Sequence, residues 1–284
     1  MMTASSVSRS PIAAVLFDWA GTMIDFGSRA PVMAMQRVFD EVGVLVEEPV
    51  IRRYMGKAKR EHVVAMLSEP AIAARWLKAR GAEWSEAEVD ALMQRLEPAM
   101  QECAAICRDL IPGAAEAFEM LRARGIRVGS TTGYTRTMMA NIIPAAAAQG
   151  YAPEAIVCAG ETAQGRPAPL MLWKALVEMG VWPASACIAV DDAPVGIEAG
   201  RHAGMWTVGL AGSGNGVGLD QATFLALSRD DRAELMQGVV AEFTAAGADF
   251  VIESVAHLDL ALTAVAKAIE RGEAPGAAPT RFLP

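Results

Sequence analysis

The run Ala13-Ala14-Val15-Leu16-Phe17-Asp18-Trp19-Ala20-Gly21-Thr22 decides how the rest of the chain is read. Its five leading apolar residues show no alternation, which suits a parallel strand covered on both faces. Gly21-Thr22 supplies the turn at the carboxyl end. Open α/β sheets bind ligands at that end, so the pattern stands Asp18 in the crevice. A carboxylate there can be a nucleophile, a metal ligand, both, or no more than a cap for the next helix.

Working outward, the spacing predicts a helix from Ser28 to Gly43. Ser28 caps it, Pro31 falls in its first turn, and Val32, Met35, Phe39 and Val42 share one face. Only helix patterns follow as far as Arg108: Glu61 to Leu67, Ala71 to Arg80, and a longer helix to Cys107 that opens on a capping box at Ser85 and Glu88 and bends at Pro98. From Ile111 helices and strands alternate. Helices are expected at Pro112 to Arg124, Thr135 to Gln149, Pro167 to Met179 and Pro194 to Ala203. Strands are expected at Ile126 to Ser130, Ala155 to Cys158, Cys187 to Val190 and Trp206 to Leu210. A glycine-rich loop, Gly212 to Gly218, precedes a helix at Asp230 to Ala246, a strand at Asp249 to Glu253 and a helix at His257 to Arg271. The expected fold is α/β, a doubly wound, mostly parallel sheet with an inserted small α-helical cap. The core domain takes 11–27 and 109–272, the cap 28–108, with a disordered tail at 1–10 and a loose one at 273–284.

Composition limits the function classes. The 284 residues are 53% hydrophobic, ample for a core, and the net charge of −8 with a pI near 5.1 argues against nucleic acid or an anionic membrane as partner. No run of 18 apolar residues occurs and the start lacks a signal-peptide pattern, so a cytoplasmic location is expected. Cys103, Cys107, Cys158 and Cys187 lack the pair-of-pairs spacing of a zinc site and read as core residues.

The strand ends carry the chemistry. The second expected strand runs into Thr131-Thr132-Gly133-Tyr134, where hydroxyls and backbone N–H groups can hold a phosphoryl oxygen. Gly165-Arg166-Pro167 puts a guanidinium at the start of a helix. The fourth strand ends in Asp191-Asp192, and adjacent buried acids call for a hard cation or hydrogen bonds.

Carboxylate, hydroxyl, cation and paired carboxylates, in that order and with a helical cap after the first strand, resemble the haloacid dehalogenase superfamily of phosphoryl-transfer enzymes. The resemblance implies that Asp18 is the nucleophile and that Thr132 and Gly133 bind the phosphoryl group. It puts Arg166 where a lysine is usual. It implies Mg²⁺ held by Asp18, the Ala20 backbone carbonyl and Asp192, with Asp191 assisting.

One departure is informative. Phosphatases of this superfamily carry a second Asp two residues after the nucleophile, which protonates the leaving alcohol, and here that position is Ala20. Either the chain is impaired or its leaving group is carbon. Cleaving a carbon–phosphorus bond demands an electron sink, which a lysine imine provides. The cap run Met55-Gly56-Lys57-Ala58-Lys59-Arg60-Glu61-His62 offers two lysines. With Asp-Trp-Ala-Gly-Thr and Thr-Thr-Gly-Tyr-Thr-Arg at 131–136, the chain resembles the phosphonoacetaldehyde hydrolase family nearly end to end. That resemblance implies hydrolysis of phosphonoacetaldehyde to acetaldehyde and phosphate, in the degradation of 2-aminoethylphosphonate. It makes Lys59 the imine-forming residue, sets Met55 and His62 beside it with His62 in proton transfer, and lets Tyr134 and Trp19 wall the pocket. It also implies a homodimer, for which the Val32 to Val42 helix offers apolar surface as well as a core contact, and a small phosphonate as the partner molecule. Ser28 stands where some members have a cysteine, and Gly196 where some relatives have a further carboxylate. Two rival readings remain open: a phosphomonoester phosphatase indifferent to Lys59, and a phosphate-binding module that has lost catalysis.

Overall fold

A computed structural model describes residues 10–283. The amino-terminal tail expected at 1–10 lies, apart from Ser10, outside the described residues. The first strand, β1 (Ala14–Phe17), is followed by five helices: α1 (Arg29–Glu41), α2 (Glu48–Arg53), α3 (Lys59–Leu67), α4 (Pro70–Arg80) and α5 (Glu86–Ile106). Then come α6 (Ala114–Ala123), β2 (Arg127–Thr135), α7 (Arg136–Met139), α8 (Ile142–Ala148), β3 (Ala155–Ala159), α9 (Leu170–Met179), β4 (Cys187–Asp191), α10 (Pro194–His202) and β5 (Trp206–Leu210). The chain closes with α11 (Gln221–Ala226), α12 (Arg229–Ala246), β6 (Phe250–Ile252), α13 (Leu258–Glu270) and β7 (Arg281–Leu283).

The strands form one parallel sheet in the order β3-β2-β1-β4-β5-β6-β7. Strand order reverses at β1, which pairs with β2 on one side and β4 on the other. Such a reversal opens a crevice beyond the strand ends, and Asp18 is the first residue past β1. The lack of alternation in β1 has its explanation here. Val15 and Phe17 pack in the cluster that holds Phe118, Leu121 and Leu262, while Ala14 and Leu16 pack with Met171, Ala175 and Met179 on the other face. Both faces are dry, and each large side chain so buried contributes about 1.5–3 kcal/mol.

Several local readings need correction. Ser28 does not cap α1 with its side chain; it adopts a left-handed backbone with φ 50°, and Asp25 takes the role. Asp25 Oδ1 and Oδ2 accept from the N–H groups of Arg29 and Ala30, each at 2.9 Å. The second strand, expected to end at Ser130, runs on through Thr131-Thr132-Gly133-Tyr134 to Thr135 with a register shift between Thr132 and Thr135, so the hydroxyl motif lies on the strand itself. The helix expected at 135–149 is broken into α7 and α8. Arg166 sits ahead of α9, which begins only at Leu170. The core contact expected of α1 is made: Val32, Met35, Val38 and Phe39 are buried in the cluster that includes Leu92, Leu96 and Met100 of α5. The loose tail expected at 273–284 is in part tied down. Arg281–Leu283 pair with Phe250–Ile252, the Gly276 N–H donates to Asp249 Oδ1 at 2.7 Å, and the Arg281 guanidinium lies 4.6 Å from the Phe250 ring.

Candidate active site

The carboxyl ends of β1, β2 and β4 and the start of α3 converge on a cavity of about 20 Å³, lined by Asp18, Ala20, Ser28, Pro31, Met55, Gly56, Lys59, Thr132, Gly133, Tyr134, Arg166 and Asp192. That is room for about one water molecule. Glycine is what lets the walls come so close. A Cβ on Gly133 would stand 2.6 Å from the Lys57 carbonyl oxygen, so β2 meets the Met55–Lys57 turn only without a side chain. Gly56, at φ +83°, would put a Cβ 2.6 Å from Val195.

On the core side, Asp18, Asp191 and Asp192 are all buried, and one oxygen from each lies within 4.8 Å of the others. Arg166 Nη1 lies 2.8 Å from Asp18 Oδ1 and 3.2 Å from Asp191 Oδ2, while its Nη2 donates to the Thr131 carbonyl at 3.0 Å and to Thr131 Oγ1 at 2.8 Å. One guanidinium faces three carboxylates. Burial pushes all three carboxyls up, Asp191 to about 7, and mutual repulsion adds to the rise at Asp191 and Asp192. A divalent cation would remove that penalty, and an all-oxygen donor set suits a hard one. The residues therefore fit a metal site.

Gly196 explains how Asp191 comes to be there. A Cβ at 196 would lie 1.9 Å from Asp191 Oδ2, so the Asp191 carboxylate fills the space that a side chain at 196 would claim. Asp191 Oδ1 accepts from the Ala193 N–H at 3.0 Å, and Asp192 Oδ2 from the Asn215 N–H at 2.7 Å.

On the cap side, Lys59 is 3% exposed. Its Nζ lies 3.9 Å from Met55 Sδ, in the turn that precedes α3, and 5.1 Å from the centre of the Tyr134 ring. Burial lowers the Lys59 pKa to about 8 against the opposing pull of Asp18 and Asp192. The competing lysine is elsewhere: Lys57 reaches over the Tyr54 ring, outside the lining. Tyr134 is buried in the cavity wall with no hydrogen-bond partner for its hydroxyl, and burial, reinforced by the carboxylates, pushes its phenol up. Thr132 Oγ1 accepts from the Tyr134 N–H at 3.1 Å.

Three expected residues do not line the cavity: Trp19, His62 and Asp191, the last standing behind it against Arg166. Trp19 turns into the core, where its Nε1 donates to Ser130 Oγ at 2.7 Å and its ring packs 5.2 Å from Tyr151. A residue next to the nucleophile in sequence points the opposite way because the chain is still extended there. His62, buried behind Lys59, uses Nε2 to donate to the Ile51 carbonyl at 2.8 Å and leaves Nδ1 without a partner. Burial, with Lys59 nearby, holds its pKa well below the usual histidine value, so the ring is neutral. The sequence gives Pro31 only as a first-turn helix residue, yet it lines the cavity, and it leaves Asp25 and Asn215 unmarked. For Asn215 the glycine-rich run around it was a visible signal; Asp25 could have been found as an acid ahead of a helix start.

Residues 12–204 match the haloacid dehalogenase-like hydrolase family. A protein of Paraburkholderia xenovorans named phosphonoacetaldehyde hydrolase is 43% identical over 93% of this chain and 99% of its own length. One of Hahella chejuensis with the same name is 41% identical over 94% of this chain and 91% of its own. The crystal structure of a phosphonoacetaldehyde hydrolase-like protein from Oleispira antarctica superposes with a TM-score of 0.92 at 42% identity, covering 97% of this chain and all of that one. With 41–43% identity over more than nine-tenths of its length, the chain belongs to the phosphonoacetaldehyde hydrolase family of haloacid dehalogenase-like hydrolases.

Proposed function

We propose that the chain hydrolyses the carbon–phosphorus bond of phosphonoacetaldehyde, giving acetaldehyde and phosphate. The observation that carries this reading is Lys59, a buried amine with its pKa lowered to about 8, facing the same cavity as Asp18 with Ala20 where an alcohol-forming phosphatase needs an acid. The neutral amine adds to the aldehyde carbon and expels water, giving an imine that becomes an electron sink once protonated. Asp18 attacks phosphorus, the carbon–phosphorus electron pair moves into the iminium, and an enamine leaves from an aspartyl phosphate. Water cleaves the acyl phosphate, the enamine takes a proton on carbon, and a further water frees acetaldehyde from Lys59. One water is consumed overall.

Asp18, Asp192 and the Ala20 carbonyl would hold Mg²⁺, with Asp191 beside them; when bound, the ion supplies positive charge for the phosphonate oxygens and the attacking carboxylate. Thr132, Gly133 and Arg166 orient the phosphonate, and Met55 and Tyr134 pack around the aldehyde carbons. His62, neutral and fixed on Ile51, accepts through Nδ1 a proton relayed by water during imine formation. A cavity of about 20 Å³ is too small for the substrate, so the helical cap at 28–108 lifts from the core at 11–27 and 109–272 to admit it and closes to exclude water. The reading includes a cytoplasmic homodimer that takes its phosphonate from 2-aminoethylphosphonate degradation. Among the described residues no helix is long and apolar enough to cross a membrane.

The test is to incubate the protein with phosphonoacetaldehyde and Mg²⁺, reduce with borohydride, and map the modified peptide by mass spectrometry. An ethyl adduct on Lys59, absent in Lys59→Arg, is the expected result. Phosphate release from phosphomonoesters that survives Lys59→Arg, with no adduct, would return the chain to the ordinary phosphatases.

A further inference from the structure

The glycine-rich loop Gly212–Gly218 has no part in the chemistry above, yet it touches both halves of the molecule. On one side it encloses Asp192. The Asn215 N–H donates to Asp192 Oδ2 at 2.7 Å, and a Cβ on Gly214 would stand 2.4 Å from Asp192 Cβ. On the other side it receives Arg52 from cap helix α2. Arg52 Nη1 donates to Asn215 Oδ1 at 3.1 Å and to the Gly27 carbonyl at 2.8 Å, and Nη2 donates to the Gly218 carbonyl at 3.0 Å. Asn215 Nδ2 donates back to the Arg52 carbonyl at 3.0 Å. The socket depends on glycine: Gly218 has φ +70°, and a Cβ there would lie 2.7 Å from the guanidinium carbon. Asn215 therefore holds Asp192 with its backbone and the cap with its side chain.

We propose that Arg52 and Asn215 form a clasp that couples seating of the cap to placement of the Asp192 carboxylate, making both of them positioning residues for the reaction. This rests on the reading of Asp192 as a metal ligand. A glycine-rich loop loses more conformational freedom on ordering than any other sequence, so its fixed shape needs an external tie. The planar, five-donor guanidinium is suited to bind several carbonyls of one loop at once, which an ammonium cannot do. With the cap lifted, Arg52 leaves, the loop loosens, and Asp192 loses its fixed donor. With the cap seated, the carboxylate is set for the cation and the phosphonate together.

The test begins without metal. Hydrogen exchange of the loop amides is compared in wild type, Arg52→Ala, Arg52→Lys, Asn215→Ala and a control, Arg75→Ala, which removes the cap ion pair with Glu47 away from the loop. Arg52→Lys keeps charge and stem while losing the fork, and Asn215→Ala keeps the N–H that meets Asp192. Exchange about tenfold faster in the first three variants and unchanged in the control is expected, the scale of one hydrogen bond to a charged group. Mn²⁺ affinity, measured by titration, should fall about tenfold in Arg52→Ala and in Asn215→Ala, and no further in the double variant. Unchanged loop exchange in all three variants overturns the clasp. Faster exchange with wild-type Mn²⁺ affinity overturns the coupling to Asp192. A wild type that binds no Mn²⁺ overturns the metal reading and the coupling with it, and the exchange data then still decide whether the clasp orders the loop.

Discussion

Lys59→Met should make the protein more stable while removing its activity. Methionine has a similar unbranched stem and no charge, so it can fill the same space beside Met55 and Tyr134. The lysine is a burden on the fold: its pKa drops from an ordinary 10.5 to about 8 on folding, and each unit is worth about 1.4 kcal/mol, so the buried ammonium costs roughly 3 kcal/mol below pH 8. The pH dependence has a definite sign. Below about 8 the amine is protonated in both states and the penalty is complete. Between about 8 and 10.5 the unfolded chain binds the proton that the native state has given up, so wild-type stability rises with pH; above that window the penalty is gone. Urea unfolding of metal-free wild type and Lys59→Met at pH 7 and at pH 10 measures this directly. The variant should gain up to about 3 kcal/mol at pH 7, with most of the gain gone at pH 10. Equal stability at pH 7, or a difference that ignores pH, would refute the claim that burial of an amine is being tolerated for the sake of chemistry.

The same lysine sets the activity profile. Neutral Lys59 is the attacking form, so turnover should climb with unit slope up to about pH 8 and then level, and Lys59→Arg should abolish it at every pH tested. Asp18→Asn should lower phosphate release by roughly 10⁴-fold or more with the fold intact by circular dichroism, because it removes the nucleophile. Gly196→Ala puts a methyl 1.9 Å from Asp191 Oδ2. It should cost about 1–3 kcal/mol in thermal unfolding and weaken Mn²⁺ binding, and wild-type affinity would show that Asp191 does not serve the metal site. Asp25→Ala frees the Arg29 and Ala30 N–H groups at the cap junction and should lower stability by about 1–2 kcal/mol, read from the urea midpoint.

Much of this was legible because it is written in runs. An unbroken apolar segment ending in Asp18, a cap with no strand pattern, and four strand ends bearing acid, hydroxyl, cation and paired acids each depend on residues adjacent in sequence. What escaped depends on direction and on distant partners. Trp19 neighbours the nucleophile yet points into the core, since neighbouring side chains of an extended chain face opposite ways. Ser28 has the right chemistry for a cap, but its left-handed backbone hands the role to Asp25, three residues upstream, whose own φ is 56°. Choosing Lys59 over Lys57 needed the family pattern; in the structure Lys57 lies in the bend before α3 and reaches out over Tyr54, while Lys59, the first residue of α3, turns inward beside Tyr134. The meaning of Gly196 could not be read locally either, because it lies in the Asp191 carboxylate.

The short strand β7 bears on how the protein can be handled. It occupies the outer side of β6, whose other neighbour among the described residues is β5, so three residues flank the Phe250–Ile252 backbone on that side. A chain cut after Glu273 would leave the β6 N–H and C=O groups as an open template on an apolar strand, the circumstance in which sheets recruit one another edge to edge. Proteolytic trimming of this segment should therefore show first as loss of monodispersity, while the distant crevice at Asp18 still turns over substrate.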